Sequence, residues 1–456
     1  MKTLKILSPT AILGYGFPDA SFEEGMRRNP DLIAVDAGSS DPGPYYLGAG
    51  VSFTDRGAVT RDLDRLLPGA IAHGIPLFIG SSGGSGGEPH LAWTLGIVRE
   101  IAAKRGLRFR MAVIHAEVDK AHVLSQRAAG RLMPLPPAPE STLEEIGETV
   151  RIVGQMGIEP FVKAHEAGAQ VVVAGRAYDP AVFAALAVQR GFDRGLALHL
   201  GKILECACIA ASPGSGSDCM LGTLDETGFT VETLSPARRC TELSVAAHTL
   251  YEKSDPTRLP GPGGVLDLTG TTFRQVSDNA VRVEGSRFVA TSPYRIKLEG
   301  VRSIGFRAVS IAGIRDPVLI GCLEETLAAV KARVVAGLPG LREPYSLGFL
   351  VYGRDGVMGS LEPVDPRTAP APHEVGLVID AVAPTQAEAD TLCASARSTL
   401  LHYGYPGRIS TAGNLAFPYS PSDFHAGEVF AFSLYHLIDE EDPCGLFPME
   451  LEEVAP

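Results

Sequence analysis

No stretch of this 456-residue chain stays apolar for the roughly 18 positions that a membrane-spanning helix needs. Its opening, Met1-Lys-Thr-Leu-Lys-Ile-Leu7, turns polar too early for a secretory signal, so a cytoplasmic protein that keeps off membranes is expected. Basic residues are in deficit: 40 Lys and Arg against 53 Asp and Glu leave a net charge of −13, which argues against nucleic acid as a partner. Cysteines are seven, an odd number, scattered from Cys206 to Cys444, which suits a reducing compartment rather than a disulfide framework. No His/Cys set has zinc-finger spacing, and neither His-Glu-x-x-His nor a 2-His-1-carboxylate spacing occurs, so no metal is expected. The Gly-Lys-Ser/Thr ending of a nucleotide loop is missing too. By elimination, simple proton chemistry without a cofactor is left.

What the chain does have is glycine concentrated in one place. Ile75–Gly80 reads as a buried strand and Pro89–Lys104 as a helix; between them, five of the eight residues from Gly80 to Gly87 are glycine and the rest serine. Each glycine costs roughly 0.5–1 kcal/mol of ordering entropy relative to alanine, a poor choice for stability alone. Bare amides and hydroxyls leading into a helix N-terminus can cradle an anion, a phosphate or a carboxylate; the other reading is a mobile surface lid. The substrate-binding reading takes in Gly80, Ser81, Ser82, Gly83, Gly84, Ser85 and Gly86. Gly84-Ser85-Gly86 is too rich in glycine to hold a serine rigid as a nucleophile, so no nucleophile elbow is read there.

Short β-rich runs alternate with helical patterns through the first half. Strands are expected at Leu4–Leu7, Leu32–Val35, Leu77–Ile79, Arg110–Ile114 and Val171–Ala174, and helices at Thr60–His73, Pro89–Lys104, Thr142–Met156, Pro180–Arg190 and Leu196–Ala210. Ser141 with Glu144 reads as a capping box. This order predicts an α/β fold, a doubly wound, mostly parallel sheet in a Rossmann-like ligand-binding domain over residues 1–235. Residues 236–456, with shorter strands and denser turn signals, read as an α+β domain with antiparallel strands.

Ligands of open parallel sheets bind at the carboxyl ends of the strands. After Leu32–Val35 comes Asp36-Ala-Gly-Ser39-Ser40-Asp41; after Leu77–Ile79, the glycine loop; after Arg110–Ile114, His115; after Val171–Ala174, Gly175-Arg176 with Asp179-Pro180. Asp36 and Asp41 read as acid/base groups or turn caps, and Ser39 and Ser40 as hydroxyl donors or caps. Arg176 either clamps a substrate carboxylate or pairs with Asp179. His115 is a general base or a satisfied histidine at a sheet end. On Glu242–Lys253, His248 and Glu252 stand four residues apart on one face, as acid and base or as a surface salt bridge. The candidate catalytic set is therefore Asp36, His115, Arg176, Asp179, Glu205 and His248, with Ser39, Ser40 and Asp41 beside the loop as binding groups.

Taken together, several segments resemble the acyclic terpene utilization (AtuA-type) family: Asp36–Tyr46, the glycine loop, Gly175-Arg176 with Asp179-Pro180, Ile203-Leu-Glu205-Cys206 and Val245–Glu252. Lys297-Leu-Glu-Gly300, Tyr352-Gly353 with Gly356–Gly359, and Gly413–Pro418 continue the resemblance to the end of the chain. It implies a catabolic role, with breakdown of citronellol- and geraniol-like terpenes proceeding through branched acyl-CoA thioesters, and no catalytic residue to carry over. It also implies a separate small subunit as a partner. The expectation is a cofactor-independent lyase, hydratase or isomerase acting on a branched carboxylate or acyl-CoA, CoA entering only as part of the substrate, in a homo-oligomer. The alternative is a non-catalytic ligand-binding subunit.

Overall fold

The structure is a computed structural model that describes residues 2–365, 368–409 and 414–456. Gly413, at the head of one of the segments quoted above, lies outside them. The chain divides into two compact units, Met1–Arg302 with Phe432–Pro456, and Ser303–Ala431. The expected boundary at residue 235 falls inside the first unit.

The first unit carries β1 (Leu4–Ser8), β2 (Leu32–Asp36), β3 (Leu77–Gly80), β4 (Phe109–Ile114), β5 (Leu132–Pro134), β6 (Thr149–Gly154) and β7 (Val171–Ala174). Further along come β8 (Met220–Leu224), β9 (Gly228–Thr233), β10 (Arg258–Gly261), β11 (Gly264–Asp267), β12 (Thr272–Ser277), β13 (Ala280–Glu284), β14 (Arg287–Ala290) and β15 (Tyr294–Ile314). Residues 294–302 of β15 belong to this unit. Five strands form a parallel centre in the order β1-β2-β3-β7-β4. Alternate residues of each strand feed different cores. Leu32, Ala34, Phe78, Val172 and Ala112 join one cluster; Ile33, Val35, Ile79, Val173 and Val113 join the other. A parallel sheet is buried on both faces for this reason, and it explains the unbroken apolar runs in the sequence.

The sheet is mixed rather than mostly parallel. β8, β9, β13 and β12 extend it antiparallel beyond β1, and Met449–Val454 closes the other edge antiparallel to β4. Antiparallel strands expected in a separate domain thus belong to the same sheet. The helix expected over Thr142–Met156 is also corrected. A short helix, Leu143–Glu148, stops where Thr149-Val-Arg-Ile-Val begins, and that β-branched stretch pairs antiparallel with β15 as β6. Its capping box is Thr142 with Glu145, one residue beyond the expected pair.

In the second unit, strand Ser346–Tyr352 pairs with Val375–Ala383, which pairs with Phe306–Ile314 of β15, all antiparallel. Val375, Leu377, Ile379, Ala381 and Ala383 alternate into one core with Val330 of helix Leu323–Gly337 and Leu392 of helix Gln386–Leu401. No helix among the described residues is long and apolar enough to cross a membrane.

Candidate functional site

Strand order decides which of the loops meet. β7 lies between β3 and β4, so the residues after β7 land beside the glycine loop that follows β3. That loop is buried throughout, from Gly80 to Gly87. Its amides at Ser81 and Ser82 donate to Gly175 O and Ala174 O, and those at Gly84 and Gly86 donate within the loop. The N-terminal amide of the following helix, Glu88 N, donates to the Glu117 carboxylate at 2.9 Å. The glycines answer to close packing: Gly86 has φ +68°, and a Cβ there would run into the backbone of Arg176. Gly86→Ala is expected to destabilise the protein by about 3 kcal/mol or more, from the left-handed penalty plus overpacking. An unchanged urea midpoint and soluble yield would contradict that packing.

Arg176 is the hub and is buried. Its Nε donates to Glu299 Oε2 at 2.9 Å, and its Nη1 donates to Ser81 Oγ at 3.2 Å, Ala177 O at 2.6 Å and Asp179 Oδ1 at 2.8 Å. None of its bonds among the described residues uses Nη2. Of the two readings of Arg176, the pairing with Asp179 is the one that forms. Glu299, wholly buried, also holds Lys297 Nζ at 2.6 Å. Burial pushes the Glu299 carboxyl up, but Arg176 and Lys297 together hold it down at about 2. Lys297 stands over the Tyr435 ring and donates to its hydroxyl at 3.3 Å. The stretch Gln155–Met156 ties these pieces together, because Gln155 N donates to Lys297 O and Met156 N to Arg176 O.

A second cluster comes from helices Asp179–Gln189 and Arg194–Leu204. A Cβ on Gly201 would strike the carbonyl of Pro180, so glycine alone permits this approach. It brings Lys202 and Glu205, at the end of one helix, towards Asp179, at the start of the other. Lys202 is 2% exposed, and its Nζ donates to Glu205 Oε1 at 2.8 Å and to Glu252 Oε2 at 2.6 Å. Burial favours a neutral amine, yet the two carboxyls overcome it and keep the ammonium charged. One cation shared by two carboxyls leaves one of them in surplus. Burial, against the pull of Lys202, pushes Glu205 up to about 8, with Asp179 adding to the rise; Glu252, less buried, is held below its ordinary value by Lys202. Glu205 Oε2 is buried and has no partner among the described residues.

Arg176, Asp179, Lys202, Glu205, Glu252 and Lys297 line one cavity of about 240 Å³, together with Asp41 and Tyr178. Asp36 is not on its wall. It is buried next to the network, its Oδ2 accepting from Gly38 N at 2.9 Å and its Oδ1 without a hydrogen-bond partner among the described residues. Burial and the Asp179 charge push the Asp36 carboxyl well up against the pull of Arg176. Ser39 Oγ accepts from Asp41 N at 3.1 Å, the turn-capping alternative, and Ser40 is buried. Ser82 and Ser85 have buried hydroxyls without a partner among the described residues.

His115 goes elsewhere. β4 lies beyond β7, so its end opens on a separate hollow of about 470 Å³ with Glu88 and Glu117. There His115 Nδ1 lies 2.9 Å from Glu88 Oε1, and its amide donates to Pro448 O. His248 is buried against the Tyr251 ring, and burial lowers it to about 4, a neutral imidazole. The surface salt bridge with Glu252 is not what forms. The helix ends at Leu250, and Glu252 sits past it at φ +78°, bonded to Lys202.

Lys202, Lys297 and Glu299 were not among the candidates, though the sequence held a signal for each. Lys202 is a lone charge in Leu200-Gly-Lys-Ile-Leu204, one turn before Glu205. Lys297 and Glu299 stand two apart on a strand, hence on one face. Among the described residues, no group of three or more His, Cys, Asp or Glu side chains is placed to hold a metal ion.

Neither a curated protein nor a solved structure matches the chain. A family model does. The match, to the acyclic terpene utilisation family protein AtuA, runs over residues 61–421 and so takes in Arg176, Lys202, Glu205 and Glu299. The chain belongs to the AtuA family, and that membership supports a role in acyclic terpene utilisation.

Proposed function

We propose that the protein is a proton-transfer enzyme, a lyase, hydratase or isomerase, that uses its own side chains on a substrate bearing a carboxylate or thioester carbonyl. The observation that carries this reading is Glu205: a carboxyl on a cavity wall, with one oxygen unpartnered among the described residues and a pKa raised to about 8. A general acid or base works best with a pKa near the operating pH. Environments that push two neighbouring carboxyls apart in pKa also separate their roles. Here Glu252 balances the Lys202 charge, which frees Glu205 to hold and release a proton. Arg176 Nη2 and the ammonium of Lys297 supply donors for a carboxylate or a developing enolate oxygen.

The test is exchange with solvent. Protein incubated in D₂O with a panel of short and branched carboxylic acids and acyl-CoA thioesters should place deuterium on carbon in at least one of them, read by NMR. Binding without exchange or turnover anywhere in the panel would remove the enzyme reading and leave a ligand-binding subunit.

A further inference from the structure

The cavity that holds Glu205 also limits what enters it. Of the twelve residues on its wall, eight are Asp, Glu, Lys or Arg, three are Gln155, Tyr178 and Tyr435, and Pro180 makes up the rest. At about 240 Å³ it is smaller than the roughly 300–1,000 Å³ of sites for drug-sized ligands. A prenyl chain gains by leaving water only where it meets apolar wall. Against this charged wall it would instead displace water from polar groups and return no hydrogen bond, an unfavourable exchange.

Resting on the proton-transfer reading above, we propose that the substrate is a short hydroxy acid or its unsaturated counterpart, compact and rich in oxygen, rather than an isoprenoid chain or a CoA thioester. Its carboxylate meets Arg176 and Lys297, two cations held in place from behind by the same buried Glu299. Its hydroxyl meets the Lys202–Glu205 end of the cavity. Gln155, on the same wall, is a neutral donor and acceptor suited to a second oxygen. If the protein serves terpene use, the reaction that supplies its substrate must already have shortened or oxygenated the hydrocarbon skeleton.

Thermal-shift and calorimetric titrations of the full chain with malate, citrate, 3-hydroxybutyrate, geranate and free coenzyme A test this. At least one hydroxy acid should bind at millimolar concentration or better, while geranate and coenzyme A do not. Arg176→Lys should weaken that binding at least tenfold. Because Arg176 is also part of the packing, Gln155→Leu on the wall provides the second variant and should weaken it at least fivefold. Binding of geranate or coenzyme A in preference, no binding by any hydroxy acid, or hydroxy-acid binding indifferent to both substitutions overturns the assignment. Hydroxy-acid binding without deuterium exchange would overturn the proton-transfer reading instead, and leave the ligand class standing.

Discussion

Glu205→Gln is expected to lower turnover by about 10²–10⁴-fold, the usual contribution of a positioned acid or base, while the fold survives. Glutamine keeps the size of the side chain and an oxygen that can accept from Lys202, and the Lys202 charge is still balanced by Glu252, 2.6 Å away. What disappears is the exchangeable proton. With the carboxyl held at about 8 by burial, the wild-type protein at neutral pH carries Glu205 mostly protonated. If that proton is donated in the rate-limiting step, the rate falls as pH rises through about 8, and the glutamine variant loses this limb. The same carboxyl contributes to stability with the opposite sign from a salt-bridged acid. Its folded pKa lies above the ordinary 4.5, so the folded state binds more protons between pH 4.5 and about 8, and stability declines as pH rises across that window. A variant with undiminished turnover and an unchanged pH profile would show that the proton travels through another group.

Glu299→Gln should cost about 3–5 kcal/mol, the range for breaking a buried ion pair by removing one partner. Glu299 is the shared counter-charge of Arg176 and Lys297 and has no exposed surface, so a neutral amide leaves Arg176 with Asp179 as its one paired carboxylate among the described residues and Lys297 with the Tyr435 hydroxyl. The wild-type carboxyl is depressed from 4.5 to about 2, so its contribution is complete above pH 4.5 and is lost as pH falls towards 2. Urea midpoints measured across this range should therefore drop for the wild type and stay flatter for the variant. A shift below about 1 kcal/mol at pH 7 would mean that water or another carboxyl takes over the two cations.

Legibility differed between fold and site for a physical reason. The parallel centre was readable because strands buried on both faces must be apolar without interruption, as Leu32-Ile-Ala-Val and Val171-Val-Val-Ala are. Antiparallel partners carry a weaker mark. Thr149–Gly154 directly follows the helical pattern of Leu143–Glu148, and pairing with β15 decided it was a strand. The site divides the same way. Asp36, Ser81 and Arg176 could be named from their places at strand ends. That they meet, and that His115 does not join them, depends on β7 inserting between β3 and β4, which no local pattern encodes.

From the residues alone came the residue types at the strand ends, the apolar runs that build the sheet and the family resemblance. Tertiary structure alone decided that Lys202 is enclosed between two carboxyls, that Glu299 stands behind Arg176, and that the cavity is polar rather than greasy. The reason is range: apolar periodicity is written within a few residues, whereas the buried Lys202 and Arg176 each also need a carboxyl brought from 50 and 123 positions away.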